Sequence, residues 1–386
     1  MNLLLEIIFW FSVGIISYNY FIYPVIIILL SKVYNSGPKP TIDDLAELPS
    51  ISFIIAAYNE EKVIREKLVN AINLNYPKDK IEIIVASDGS DDSTEEIVKS
   101  FSSDEVISVH DSARRGKSSA LNRAVEKSQG EILILSDANN LFNSGACLEL
   151  VKHFDNNLIG GVTGLKNIID DTSRESSEGD SLYWKYESRI KQAESDVKTI
   201  TNADGEIFAI RKSLYEPIPE YIINDDAELT FSLRRNGYYI KYDMSAISSE
   251  KASINIQDDY FVKVRMVAGA YQTIAYHWKE LVKPFDMFSF MFISHKLIRW
   301  LVPHFMLIAF ISNAFLMSGH VYFTLMLLQI LFYLLASIGV MYKDKSKLPT
   351  LLYVPYYFCY MNAAAFHGFI KYLSNNQSTS WRKAKR

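Results

Sequence analysis

The sequence predicts an α/β domain with a mostly parallel sheet, flanked at both ends by transmembrane helices. Between residues 51 and 284, short β-rich apolar runs alternate with helical patterns, which is the order of a parallel sheet covered by helices on both faces. The apolar runs before and after that stretch are long enough to cross a bilayer, which needs about 20 residues. The composition, 49% hydrophobic overall, therefore averages over a polar middle and two apolar ends.

The first apolar run, Leu3–Leu30, is predicted to be a membrane anchor. Glu6 is its only charged side chain, and the run lacks the basic start and the small-residue cleavage site of a signal peptide. Lys32 and Lys39 follow it. Because basic residues favour the cytoplasmic side of a membrane, we expect the N-terminus to lie outside and the next domain in the cytoplasm.

The α/β domain is predicted from three strands and the helices between them. The predicted strands are Ile51–Ala56, Ile81–Ala86 and Glu131–Leu135, and the predicted helices are Glu61–Leu74, Ser93–Ser100 and Ser118–Lys127. Ligands of such sheets bind at the carboxyl ends of the strands. The residues that follow each strand are therefore the first place to look for a site.

Three apolar stretches follow the α/β domain. Leu297–Met317 and Val321–Met341 are predicted to span the membrane. Leu351–Leu373 contains Pro355 and several tyrosines, so the sequence leaves open whether it spans. Phe285–Ile293 is amphipathic and is expected to lie in the membrane interface. The predicted organisation is an anchor (1–31), a linker (32–50), the α/β domain (51–284), an interfacial helix (285–296), a transmembrane region (297–373) and a basic tail (374–386).

Charge and cysteine content exclude some classes of protein. The formal net charge of −4 lacks the basic excess of a nucleic-acid-binding protein, so no nucleic-acid partner is expected. The two cysteines, Cys147 and Cys359, lie in a polar and an apolar segment respectively. They form no disulfide framework, which is consistent with a reducing compartment for the middle domain.

Polar side chains follow the first two predicted strands. Tyr58 and Glu60 come after the first strand, and Asp88 ends the second. Carboxylates at two neighbouring strand ends can accept hydrogen bonds from a nucleoside, and Gly89 permits a tight turn beside it. The residues 91–93 have a simpler interpretation as the cap of the next helix, which does not account for Asp88.

A basic cluster and a polar turn flank the third strand. Arg114–Lys117 contains a glycine and leads into a helix, which suits a diphosphate, although such a cluster is often only a solvated face. Asp137 and Asn139 follow the strand at a spacing of two. Their oxygens can hold a hard divalent cation that bridges phosphates, and the alternative for Asn139–Asn140 is a structural turn.

Adjacent carboxylates later in the chain offer a general base. Asp225 and Asp226 enter a predicted helix, and a second negative charge nearby raises the proton affinity of a carboxylate. The alternative interpretation is that one of them caps that helix.

In this order and spacing, the motifs resemble those of the family-two glycosyltransferases with a GT-A fold, which is Rossmann-like with a mostly parallel sheet. The resemblance covers Ile51 to about Tyr276, and the group includes cellulose-synthase-like and poly-N-acetylglucosamine-synthase-like membrane enzymes. It implies a nucleotide-sugar donor, expected to be UDP-linked, a divalent cation (Mg²⁺ or Mn²⁺), a saccharide or lipid-linked acceptor, and contact with membrane lipid. It also implies an inverting enzyme on the cytoplasmic side of a bacterial inner membrane that contributes to surface polysaccharide or glycolipid synthesis.

The resemblance assigns roles to individual residues. It implies nucleotide contacts for Tyr58, Glu60 and Asp88, diphosphate contacts for Lys117 and Arg265, metal ligation by Asp137 and Asn139, acceptor contacts at Gly205 and Asp225, and the catalytic base at Asp226. The chain departs from the family pattern at Asn139 and Asp225, where Asp and Glu are usual. The Gln-x-x-Arg-Trp motif of processive members retains only Arg265, and Gln377 and Trp381 in the tail have a similar spacing.

Two other classes of function compete with this interpretation. A non-catalytic membrane scaffold of a polysaccharide assembly would need neither Asp137 nor Asp226, and both are present. An independent transporter would need more spans and a paired set of broken helices. Single addition and processive polymerisation both remain open for the enzyme.

Overall fold

In the computed structural model, residues 2–34, 40–101, 106–169, 176–251, 256–342 and 348–375 are described. Lys39 of the predicted linker, and Gln377 and Trp381 of the tail, lie outside these ranges. The described residues form one sheet of eight strands in the order β3-β2-β1-β4-β7-β6-β8-β5. The strands are β1 (Ile51–Ala57), β2 (Ile81–Asp88), β3 (Val106–Asp111), β4 (Ile132–Asp137), β5 (Asn140–Phe142), β6 (Ile159–Ile169), β7 (Ile207–Arg211) and β8 (Tyr239–Lys251).

The first four strands form the parallel half of the sheet. β1, β2 and β4 were predicted from the sequence, whereas β3 was not. β1 pairs in parallel with β2 and with β4, and β2 pairs in parallel with β3. Ile51 is level with Ile81 on one side and with Ile132 on the other. Because the register is level, the carboxyl ends of β1, β2 and β4 meet at one edge, and the three motifs that follow them are brought together.

Both faces of the sheet are covered, which explains why the strands are continuously apolar. Phe53 and Ile55 of β1 belong to one buried cluster, and Ile54 and Ala56 belong to the other. This division follows the two-residue alternation of side chains along a strand.

The helices are α1 (Asn2–Ser17), α2 (Tyr23–Tyr34), α3 (Ile64–Ile72), α4 (Thr94–Lys99), α5 (Lys117–Lys127), α6 (Ala146–Val151), α7 (Ser176–Val197), α8 (Asp225–Arg235), α9 (Ile256–Val282), α10 (Met287–Phe292), α11 (Ile298–Leu316), α12 (His320–Tyr342) and α13 (Thr350–Leu373). The three helices predicted for the α/β domain are present as α3, α4 and α5. α3 and α4 are five and two residues shorter than the sequence pattern suggested, and α5 is one residue longer.

The second half of the sheet is mixed. β7 runs antiparallel to both β4 and β6, and β5 runs antiparallel to β8, whereas β6 and β8 are parallel. β7 therefore carries the chain back across the sheet, so that the residues just before Ile207 lie at the edge where β4 ends.

Three helices among the described residues are long and apolar enough to cross a membrane. They are Leu3–Tyr34, Met287–Leu316 and His320–Tyr342. The predicted anchor lies within the first of them, which runs through a π-helical turn at Tyr18–Ile22. The 24-residue helix α13 does not reach the same hydropathy, in keeping with its tyrosines and Pro355.

The predicted interfacial helix 285–296 is not a separate element. Helical backbone continues from Met287 through a π-helical turn at Ile293–Leu297 to Leu316. Phe288 and Phe292 are buried against Phe231 of α8. The apolar face that suggested contact with lipid therefore packs on the α/β domain.

A buried charged cluster joins α7 to the apolar helices. The Glu187 carboxylate accepts hydrogen bonds from Arg299 Nη1 (2.6 Å) and Lys296 Nζ (2.5 Å), and His295 lies between Glu187 and Glu194 at 3.1 and 2.7 Å. Tyr23 of the N-terminal helix donates to Glu194 at 2.6 Å. The cluster thus fixes both apolar segments to α7.

We expect Glu187→Gln to lower the midpoint of thermal unfolding in detergent. The substitution removes the carboxylate that balances Lys296 and Arg299, and breaking a buried ion pair costs roughly 3–5 kcal/mol. Glu66→Gln, at an exposed position of α3, is the matched control and should leave the midpoint within experimental error. Equal midpoints for the two variants would show that the cluster does not stabilise the fold.

Candidate active site

The loops that follow β1 and β2 are bonded to each other across the edge of the sheet. The Asn59 side-chain amide donates to Asp91 Oδ1 at 2.5 Å, and the Asp91 backbone N–H donates to Asn59 Oδ1 at 2.9 Å. Asn59 has a positive φ of 51°, a conformation that asparagine tolerates. Of the residues expected to cap α4, Asp92 does so through the Thr94 N–H at 3.0 Å, whereas Asp91 holds the loops together.

Tyr58 lies beneath a guanidinium group. The Arg114 guanidinium carbon is 3.8 Å from the centre of the Tyr58 ring, a cation–π contact. Gly89 faces the same arginine, because a Cβ at Gly89 would lie 2.8 Å from the Arg114 backbone nitrogen, and its φ is +67°. The backbone N–H of Glu60 donates to Thr94 Oγ1 at 2.7 Å. Tyr58 thus contacts the basic cluster through its ring, and Glu60 is tied through its backbone to the start of α4.

Asp88 is buried and organises the basic cluster from below. Its two carboxylate oxygens accept hydrogen bonds from the backbone N–H groups of Arg115 (3.0 Å) and Gly116 (2.7 Å). Arg123 Nη2 lies 3.5 Å from Oδ1. The sequence predicted a nucleotide contact here, and the structure adds a second task for Asp88, which is to hold the turn that precedes α5.

Lys117 is the first residue of α5 and joins two of the predicted motifs. Its Nζ lies 2.8 Å from Asp137 Oδ1 and 3.3 Å from Asp225 Oδ2. Burial alone would lower the pKa of Lys117, but the two carboxylates hold it well above its ordinary value. A permanent cation is therefore placed between the end of β4 and the start of α8.

Gly205 lies against the same cluster. A Cβ at Gly205 would be 3.2 Å from Asp226 Cβ, 3.5 Å from Asp225 Oδ2 and 3.6 Å from Lys117 Nζ. The side of Gly205 that a side chain would occupy therefore faces the two aspartates. Four of the residues singled out in the sequence meet here although they come from three separate segments.

Asp226 has the electrostatic environment of a general base. Burial and the adjacent negative charge of Asp225 raise the pKa of Asp226 to about 7, against the opposing effect of Lys117. The N-cap of α8 is Asn224, which makes no side-chain cap hydrogen bond. Asp226 Oδ1 instead accepts from the Ala227 N–H at 2.7 Å, so only part of the capping interpretation applies to the pair.

Arg265 approaches the cluster from α9. Burial lowers the pKa of Arg265, and the negative charges of Asp225, Asp137 and Asp226 oppose that change. Within the described residues its buried Nε has no hydrogen-bond partner, which leaves a donor available to a ligand. Met266 accepts a hydrogen bond from Asn224 Nδ2 at 3.0 Å, which ties this part of α9 to the start of α8.

The two predicted metal ligands lie on the turn after β4. Asp137 is partly exposed, and Asn139 donates through Nδ2 to Glu250 Oε2 at 3.3 Å, which leaves its amide oxygen for a ligand. In the described part of the chain no three His, Cys, Asp or Glu side chains are grouped to hold a metal. The oxygens of Asp137 and Asn139 fit a hard cation that takes its other ligands from phosphate and water.

Several residues near this turn were missed by sequence reasoning. Lys166 lies 2.5 Å from Glu206 Oε2 and 2.6 Å from Glu250 Oε1. Burial raises the pKa of Glu206 to about 7, with Lys166 opposing the effect and Glu250 adding to it. Glu206 follows Gly205 directly, which was an available signal. Glu250 lies 111 residues after Asn139, and no local pattern connects the two.

Comparison with known proteins was made for the sequence and for the fold. Residues 52–218 match the family model described as Glycosyl transferase family 2. The chain is 34% identical over 224 residues to the probable glycosyltransferase YdaM of Bacillus subtilis (strain 168), which covers 54% of this chain and 52% of that protein. It is 26% identical over 274 residues to the poly-beta-1,6-N-acetyl-D-glucosamine synthase of Staphylococcus aureus (strain COL), covering 69% and 66% respectively. The chain thus spans about half to two thirds of the length of these curated relatives.

Among solved structures, a mannosyltransferase from Pyrobaculum calidifontis in complex with GDP-Man and Mn²⁺ has a similar fold. The TM-score is 0.73 at 20% identity, and the match covers 97% of this chain and all of that one. At this identity the likeness concerns the fold.

Proposed function

We propose that this chain, which carries a family-two glycosyltransferase domain with the predicted GT-A fold, transfers a sugar from a nucleotide-sugar donor to a saccharide or lipid-linked acceptor at a membrane. The observation that carries the proposal is the convergence of Lys117 on Asp137 and Asp225, beside Asp226 and Gly205. The Lys117 ammonium group, the turn that we propose for the metal and a carboxylate of raised pKa therefore lie at one edge of the sheet.

The donor is held by the residues at the ends of β1 and β2 and by two cations. Tyr58, Glu60 and Asp88 lie where a nucleoside would contact the sheet edge. Lys117 and Arg265 bind its diphosphate, for which the unpartnered Nε of Arg265 is suited. The family match over residues 52–218 includes Tyr58, Glu60, Asp88 and Lys117 but not Arg265. A UDP-linked sugar is the first donor to test.

A divalent cation fits at Asp137 and Asn139. When bound there, it would neutralise charge that develops on the departing diphosphate. The mannosyltransferase of similar fold was solved with Mn²⁺, which makes Mn²⁺ and Mg²⁺ the cations to test. Lys117, paired with Asp137 at 2.8 Å, adds a fixed positive charge at the same place.

Asp226 acts as the general base on the acceptor. It takes the proton from the acceptor hydroxyl as that oxygen attacks the anomeric carbon opposite the leaving diphosphate, and this geometry inverts the configuration. Asp225 keeps the pKa of Asp226 high through its negative charge. Gly205 contributes to the acceptor side by having no side chain, because a Cβ there would lie 3.2 Å from Asp226 Cβ.

A donor screen tests the proposed function. Purified full-length protein is incubated with a panel of nucleotide sugars, with and without saccharide acceptors, and release of nucleotide is measured. We expect release from one donor, dependent on a divalent cation and stimulated by an acceptor. Binding of nucleotide sugars without any turnover would favour the non-catalytic scaffold instead.

The orientation in the membrane is the next prediction. Lys32 follows the first span, so the α/β domain should be cytoplasmic. A cysteine in place of exposed Glu126 should resist an impermeant thiol reagent in intact cells. Ser318→Cys, in the turn between α11 and α12, is the matched control and should react from outside. Labelling in the opposite pattern would reverse the assignment.

A further inference from the structure

Lys67 is a buried lysine on α3 that the chemistry described above does not use. It is fully buried, and its Nζ lies 5.1 Å from the centre of the Phe53 ring and 4.6 Å from that of Phe142. The other buried positions of α3, Ile64, Leu68 and Ala71, are apolar, as a helix face on a sheet requires. An ammonium group on that face is costly unless its hydrogen bonds are satisfied.

The hydrogen bonds of Lys67 all go to the turn that carries the predicted metal ligands. Nζ lies 2.6 Å from Ser136 Oγ, 2.9 Å from the Asn140 carbonyl oxygen and 2.8 Å from Asn140 Oδ1. Ser136 Oγ donates to Asn140 Oδ1, so it accepts from the lysine. Three acceptors take up the three N–H donors of an ammonium group. Within the described residues no carboxylate pairs with it.

Ser136 and Asn140 bracket Asp137 and Asn139. Asn140 is itself buried and donates through Nδ2 to the Glu206 carbonyl oxygen at 2.8 Å, which fixes the turn to the strand after Gly205. Lys67 therefore holds both ends of the turn from the side opposite the site. Burial lowers the pKa of Lys67 to about 7, and the negative charge of Asp137 is the first of those that oppose this change.

We propose that Lys67 is a positioning residue, which fixes the Ser136–Asn140 turn so that the oxygens of Asp137 and Asn139 converge on the divalent cation. This inference rests on the proposed function. Groups that orient metal ligands without touching the metal typically contribute a factor of about 10–100 to metal affinity. Asn139 offers an amide oxygen where a second carboxylate is usual. The geometry of the turn therefore matters more for binding the cation.

The test compares Lys67→Met with a substitution of Asn70, a residue that also joins α3 to β5. Asn70 lies one turn later on α3. Its Nδ2 donates to the Phe142 carbonyl oxygen, and its Oδ1 accepts from the Phe142 backbone N–H, both at 2.9 Å. Asn70→Ala therefore weakens the contact between α3 and β5 at Phe142, outside the Ser136–Asn140 turn. Ser136→Ala removes one acceptor of Lys67 and keeps the buried charge, and it serves if Lys67→Met does not fold.

Two quantities are measured for each full-length variant: the Mn²⁺ concentration that half-saturates donor turnover, and the affinity for UDP by titration calorimetry at a series of Mn²⁺ concentrations. We expect Lys67→Met to need at least about 10-fold more Mn²⁺ in both measurements. Ser136→Ala should shift in the same direction by a smaller factor. Asn70→Ala should match the wild type in Mn²⁺ dependence.

An unchanged Mn²⁺ dependence in Lys67→Met, or an equal shift in Asn70→Ala, would overturn the role of Lys67 and leave it a residue of the core. Where Lys67→Met does not fold, wild-type Mn²⁺ dependence in Ser136→Ala would do the same. A wild type that turns over no nucleotide sugar would contradict the proposed function. An active wild type, together with a Lys67→Met variant of unchanged Mn²⁺ dependence, would contradict only the role of Lys67.

Discussion

Replacement of Asp226 by asparagine should abolish most sugar transfer while the protein still binds its donor. Asn keeps the shape of the side chain but removes the proton acceptor, and loss of a general base typically lowers the rate by about 10²–10⁴-fold. The donor should remain bound because Lys117, Arg265 and the Asp137 turn are unchanged. Glycosyl transfer and nucleotide-sugar affinity are measured on the same preparation.

Asp225→Asn is the matched control for Asp226. It removes the charge that raises the pKa of Asp226 and one partner of Lys117, but it leaves the base in place, so the loss of rate should be smaller. Transfer by Asp226→Asn at near the wild-type rate would exclude it as the base. So would a loss of transfer that is explained by a loss of donor binding.

The pH dependence of kcat/KM in the wild type should also report the ionisation of Asp226. A general base acts only when deprotonated, and the pKa of Asp226 is raised to about 7. We therefore expect kcat/KM to rise with pH through about 7 and then to level off, since this ratio reports the free enzyme. In Asp225→Asn the rise should move to lower pH. A wild-type profile without this rise would contradict the assignment.

Removal of the divalent cation is the second change with a large expected effect. EDTA should abolish donor turnover, and Mn²⁺ or Mg²⁺ should restore it, because a metal ion contributes several kcal/mol to stabilising the departing diphosphate. Asp137→Asn should reproduce the loss, by roughly 10³-fold, and excess metal should not restore full activity. The matched control is Asp91→Asn, at a carboxylate in the loop after β2 that pairs with Asn59. Full turnover in a metal-free preparation would disprove the metal site.

The sequence alone was sufficient for three strands and three helices of the α/β domain and for the edge of the sheet that carries the candidate site. The apolar runs from Ile51, Ile81 and Ile132 form strands because both faces of the sheet are buried, and that burial leaves a continuous hydrophobic pattern. The residues after them were predicted to meet because the ends of parallel strands share one edge. Asp88, Lys117 and Asp137 could be selected for this reason before any contact was known.

Only the tertiary structure decided which side chains pair within that edge. Lys117 meets Asp225 across 108 residues, and Gly205 lies beside them because the antiparallel strand β7 begins where β4 ends. No pattern along the chain encodes either contact. The amphipathic stretch at Phe285 was expected on lipid, but Phe288 and Phe292 pack on Phe231, since periodicity shows that a face is apolar and not what covers it. Lys67 is the clearest case. A lysine on a helix is ordinarily solvated, and only the placement of Ser136 and Asn140 opposite α3 makes its burial possible.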